Sequence, residues 1–111
     1  MMLSKREEIQ DKLTYILQKS DLERASVKIG EDGAAYITLD IHGWPIAKTQ
    51  KVMQNLILLQ REAFNLNIVH GYLHGMATKE MLLNKFTNCR LIKKRSYNEN
   101  PGITFMRFKA A

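Results

Sequence analysis

Cysteine is all but missing from this chain. Cys89 stands alone among 111 residues, so no internal disulfide can form, and a reducing compartment is expected. Long apolar runs are missing as well. No stretch approaches the roughly 18 apolar residues that a membrane span needs. The opening "MMLSKREEIQ" lacks the apolar segment of a secretory leader. Together these absences set the expectation of a cytoplasmic protein with no membrane partner. Acidic residues are scarce in one part only. Residues 1–39 hold six Lys/Arg against seven Asp/Glu, whereas residues 40–111 hold eleven against four. The excess behind the formal net charge of +6 therefore lies wholly downstream. A one-sided positive field attracts polyanions, nucleic acid first among them. Its plainer counterpart is a solvated basic surface.

What is present fits a single globular domain. Hydrophobic residues make up 45% and charged residues 25%, and a chain of this length has room for one core. Ser4-Lys-Arg-Glu7 reads as a capping box, and Ile9, Leu13, Ile16 and Leu17 follow at helical spacing. The spacing predicts an amphipathic helix over about 4–24, within an N-terminal extension covering 1–30. "GEDG" (30–33) is a turn, and "AAYITLDI" after it has the content of a strand. Pro45 suits a helix start, and the stripe Ile46, Val52, Met53, Leu56, Ile57, Leu59, Ala63 and Phe64 carries that helix to about 64. "LNIVHG" reads as a buried strand. Ala77 to about Thr87 forms another helix, and "RLIKKRSY" and "ITFMRFK" are strands joined by the turn "NENPG".

Residues 34–111 thus read β-α-β-α-β-β, an α/β (α+β) two-layer sandwich. A right-handed β-α-β crossover makes the first strands parallel and puts the helices on one face. The last pair forms a hairpin, which completes a four-stranded mixed sheet.

One short echo stands out in this frame. "LDIHGWP" (39–45) and "NIVHGYLHG" (67–75) each end an apolar strand on a His-Gly pair. In open α/β sheets, ligands bind beyond the carboxyl ends of parallel strands. Topology therefore brings Asp40, His42 and Gly43 to the same edge as His70 and Gly71. Glycine lets backbone N–H groups approach an anion. The loop from Gly71 to Gly75 leads into a helix N-terminus suited to phosphate, with Lys79 one turn on. His42, His70 and His74 can exchange protons near neutral pH. Asp40 can orient an imidazole or hold a divalent ion.

These residues resemble a known family. "LDIHG" matches the L-D-x-H-G motif of the Smr (small MutS-related) domain. "HGYLHG" followed by "ATKEML" is similar to that family's H-G-x-G-x-G motif, with Leu73 where the middle glycine usually stands. "NPGITFMRF" resembles its closing strand. The resemblance covers about 34–109. It implies a fold similar to the C-terminal domain of bacterial translation initiation factor three, nucleic-acid binding, and in several members nicking of DNA or cutting of RNA, with ties to stalled ribosomes. Carried over, Asp40, His42 and Gly43 take the first motif, and His70, Gly71 and Gly75 the second.

Each residue also has a plainer reading. Asp40 and His42 fit a structural turn, and His70 a structural hydrogen bond. His74 fits an exposed loop. Tyr72 fits either a base-stacking face or a cover for the core edge. Lys93, Lys94 and Arg95 fit either phosphate contacts or a charged strand edge that resists pairing. A zinc site from His42, His70, His74 and Cys89 is disfavoured, because Gly71 and Gly75 break any helix that would align the imidazoles. Three functions follow. The first is an Smr-type endonuclease with Asp40, His42 and His70 in catalysis and Mg or Mn as the divalent cation. The second is a binding module for RNA, DNA or the ribosome without catalysis. The third is a protein-interaction adaptor working through the N-terminal helix.

Overall fold

A computed structural model describes residues 2–73 and 75–111. Among these residues three helices and five strands follow in the order α1 (Lys5–Ile16), β1 (Ala25–Ile29), β2 (Ala35–Asp40), α2 (Ile46–Leu59), β3 (Phe64–Val69), α3 (Met76–Glu80), β4 (Leu91–Ser96) and β5 (Ile103–Phe108). A 3-10 turn over Lys19–Arg24 precedes β1, and a π-helical turn over Met81–Lys85 continues α3. The sheet runs β1-β2-β3-β5-β4. Its single parallel pair is β2 with β3, bridged by α2, and every other pair is antiparallel.

The expected two-layer α+β architecture is present, with one strand more than expected. Ala25–Ile29 pairs antiparallel with β2 through the turn at 30–33. It escaped notice because the helical reading ran on to 24 and "ASVKI" is short, with one buried side chain, Val27. Three helix limits also differ. The N-terminal helix stops at Ile16, where Leu17 is already extended, and tightens into the 3-10 turn. The second helix ends at Leu59, not 64: Ala63 is exposed and Phe64 opens β3. Its ring stacks on the cross-strand partner Phe108, centroids 4.8 Å apart, a contact that helical spacing cannot foretell. The third starts at Met76 and leaves the helical path at Phe86, whose backbone is extended.

Alternation along the strands sorts the side chains onto two faces. Ala35, Ile37 and Leu39 of β2, Phe64, Leu66 and Ile68 of β3, and Met106 and Phe108 of β5 turn to the helices and form the core with Val52, Met53, Leu56, Ile57, Met81 and Leu82. Ile9, Leu13 and Leu17 join the same cluster, so the N-terminal segment is part of the domain's body and its apolar stripe is already covered. The capping box forms as expected: Glu7 N–H donates to Ser4 Oγ at 3.2 Å, and Ser4 N–H to Glu7 Oε1 at 3.3 Å. Arg90 closes the lower end of the sheet. Its buried guanidinium donates to the carbonyls of Ile57, Glu62 (3.1 Å) and Lys109 (2.9 Å). No helix among the described residues is long and apolar enough to cross a membrane.

Candidate functional site

Three loops meet at the carboxyl end of the parallel pair. Asp40 pairs with Val69 in register, and Ile41 N–H donates to the Val69 carbonyl at 2.9 Å. The two His-Gly loops are therefore neighbours along one rim. The third loop is the β4–β5 turn. The Gly102 carbonyl accepts from His70 N–H at 2.9 Å and from Gly71 N–H at 3.1 Å, which fastens the second His-Gly loop to the start of β5.

Glycine is required at three places here. Gly43 and Gly71 have φ of +80° and +85°, and the space where a side chain would stand is open at both. A ligand can approach the backbone there. At Gly75 the reason is crowding: a Cβ would collide with the carbonyl oxygens of His70 and Gly71.

Asp40 and His42 form a joined pair. Asp40 Oδ1 accepts from His42 Nδ1 at 2.6 Å and from the His42 backbone N–H at 3.1 Å. The imidazole is well exposed, at 64% of its side-chain area. Burial works to raise the Asp40 pKa, but the hydrogen bonds from His42 and the charges of His42 and Arg24 outweigh it and hold the carboxyl below its usual value. Asp40 is thus an acceptor at neutral pH. An acceptor on Nδ1 fixes the tautomer, so the neutral ring carries its free lone pair on Nε2.

Behind this pair stands a residue that sequence reasoning missed. Arg24 Nη1 donates to the His42 carbonyl at 3.0 Å and the Asp40 carbonyl at 3.4 Å, clamping the loop from the 3-10 turn. Buried Asp21 holds Lys48 at 2.9 Å and lies 3.9 Å from Arg24. Trp44 sits partly buried beside the core, with Lys48 4.2 Å and Arg24 6.0 Å from its ring centroid. Arg24 gave no local signal, because its reach to residue 42 depends on β1 pairing with β2.

His70 belongs to the same rim but faces inward. It is 3% exposed, with Nδ1 2.8 Å from the Gly71 carbonyl and Nε2 2.9 Å from Thr104 Oγ1. A carbonyl can only accept, so Nδ1 carries the proton and Thr104 donates its hydroxyl hydrogen to Nε2. Burial, with the Lys79 charge adding to it, lowers its pKa despite the Gly71 bond. His70 is a neutral strut between the second loop and β5, and its part in the site is to position that loop.

The remaining expected residues divide. Tyr72 and Leu73 are exposed on the second loop, and Lys79 is half-buried with its N–H bonded to the Gly75 carbonyl at 2.9 Å. His74 lies outside the described residues. Lys93 and Arg95 are exposed on the sheet face away from the helices. Lys94 turns the other way and donates to the carbonyls of Leu82 (3.3 Å) and Phe86 (2.9 Å), closing the end of the π-helical turn. That carries Lys94 out of the group of phosphate contacts.

No three His, Cys, Asp or Glu side chains converge among the described residues, and one Asp40 oxygen is committed to His42. A magnesium-like cation keeps most of its waters and needs only one or two carboxylates beside substrate phosphate, so Asp40 is the residue that would hold one. The chain is matched by no protein-family model, no curated protein and no solved structure.

Proposed function

We propose that the chain binds nucleic acid at this rim, as an Smr-type domain, and that Asp40 and His42 cleave phosphodiester bonds, with RNA favoured over duplex DNA. The observation that carries the reading is the 2.6 Å contact between Asp40 Oδ1 and the exposed imidazole of His42. In this reading His42 Nε2 takes the proton of a 2′-hydroxyl. The 2′-oxygen then bonds to phosphorus, the P–O5′ bond breaks, and the departing oxygen takes a proton from water, whose hydroxide recovers the proton held by His42 and returns the ring to its neutral form. Asp40 stabilises the imidazolium that forms. The open backbone at Gly43 and Gly71 gives the phosphate room to approach. The test is a gel assay with end-labelled RNA and single-stranded DNA. The Asp40→Ala, His42→Ala double variant should lose cleavage; product formation at the parent rate would overturn the catalytic role.

A second reading is favoured by the enclosure of His70 and by Leu73 at the place of the family's middle glycine. In it the same rim binds RNA, including ribosomal RNA, without turnover. Retention that weakens steeply with added salt, with no product, would select it.

A further inference from the structure

The sheet has a second face that no helix among the described residues covers, and it is built unlike an ordinary solvent face. Its residues are those out of phase with the core: Lys28 of β1, Tyr36 and Thr38 of β2, Asn65 and Asn67 of β3, Lys93 and Arg95 of β4, Phe105 and Arg107 of β5. Phe105 is only 6% exposed, yet it stands outside the core cluster. What hides its ring is cationic. The guanidinium carbons of Arg95 and Arg107 lie 5.3 Å and 5.9 Å from its centroid. Tyr97 meets it edge-on at 6.3 Å, and Arg95 also lies 4.7 Å from the Tyr97 centroid.

Among the described residues the cations on this face have no partners of opposite sign. Lys28, Lys93, Arg95 and Arg107 are exposed, and none forms an ion pair with a carboxylate among the described residues. Defence of an edge strand accounts for Lys93 and Arg95 but not for Arg107, because β5 lies inside the sheet. Beside the rings is a hollow of about 210 Å³ lined by Thr38, Asn67, Tyr97, Glu99, Asn100 and Ile103. Asn67 Oδ1 accepts from the Tyr97 hydroxyl at 2.8 Å and Asn100 Oδ1 from Gly102 N–H at 3.1 Å, so the two amides keep their N–H groups to donate.

We propose that this face binds single-stranded polynucleotide, with unpaired bases stacking on Tyr97 and Phe105 while Arg95 and Arg107 turn outward to the phosphates. Arg107 Nε donates to the Asn65 amide oxygen at 2.9 Å, and no carboxylate among the described residues holds either guanidinium. Aromatic rings under such cations suit a ligand that brings flat bases and negative charge together. A duplex hides its base faces and has no use for the rings. The position matters too. Phe105 shares a row with Asn67 and Thr38, and Asp40 lies one alternation further along β2, about 7 Å away. A strand lying on the face would deliver its backbone to the rim. The proposal rests on the nucleic-acid reading above and supplies its substrate class.

The experiment is fluorescence anisotropy at fixed salt with four dye-labelled probes of equal length: oligo-uridine, oligo-thymidine, an abasic DNA strand and a DNA duplex. The full chain should bind the two base-bearing strands more tightly than the abasic strand or the duplex. The Arg95→Ala, Tyr97→Leu double variant, checked for folding by circular dichroism, should lose roughly 5- to 150-fold in affinity for them. Arg6→Ala, which removes one charge from α1, should change little. A preference for uridine over thymidine would assign RNA, and parity would assign either single strand. Equal binding of the abasic strand, equal binding of the duplex, or an indifferent double variant would overturn this proposal and leave the rim reading standing. If none of the probes binds, both fall.

Discussion

The neutral state of His70 can be tested through the residue that holds it. Thr104 is fully buried, and its hydroxyl is the partner of His70 Nε2. Thr104→Val keeps the shape of the side chain and removes only the donor. A buried acceptor left unpaired costs about 1–3 kcal/mol. In a domain of this size that lowers Tm by about 4–12 °C. The companion measurement is the pH dependence of stability in the parent chain. The folded state depresses the His70 pKa, so the unfolded chain binds more protons as the pH falls through its ordinary value near 6.5. Stability is then full above that value. On acidification it is lost at up to about 1.4 kcal/mol per pH unit, until the lowered folded pKa is reached. Urea titrations followed by circular dichroism at about pH 7.5 and 5.5 read both effects. A Thr104→Val protein as stable as its parent, together with a flat parent profile, would refute the account of His70 as a buried strut and restore it as a solvent-facing acid or base.

Two further outcomes follow from the geometry. Gly75→Ala drives a methyl group into the carbonyl oxygens of His70 and Gly71; it should cost about 1–3 kcal/mol and loosen amide protection at residues 70 and 71, measured by hydrogen exchange. Arg90→Met strands three carbonyls at the opposite end of the sheet; a loss of about 3 kcal/mol or more is expected in thermal melts, with the affinity for nucleic acid at the rim unchanged.

Much of this arrangement was legible in the residues. The capping box, the turn at 30–33, the Pro45 helix start and the hairpin around Pro101 carry local chemistry, and each appears where it was expected. The meeting of the two His-Gly loops followed from topology. What was not legible is what depends on partners distant in the chain. "ASVKI" becomes a strand through β2, and Phe64 leaves the helical stripe for the ring of Phe108. His70 and His42 look alike in sequence, each before a glycine at a strand end. One is sealed by Thr104, which is 34 positions away, and the other is held outward by Asp40, which is two positions away. The clamp of Arg24 and the cations over Phe105 follow from the same kind of distant pairing.

The strand order carries a consequence for synthesis. β5 is the latest of the five strands to leave the ribosome, and it occupies an inner place between β3 and β4. Until it emerges, β3 has an unpaired apolar flank, His70 has no hydroxyl to meet, and the loop at Gly71 has no carbonyl to rest on. A nascent chain lacking this last segment would hold its first four strands in a state prone to mispairing. The rim would therefore be assembled in one late step.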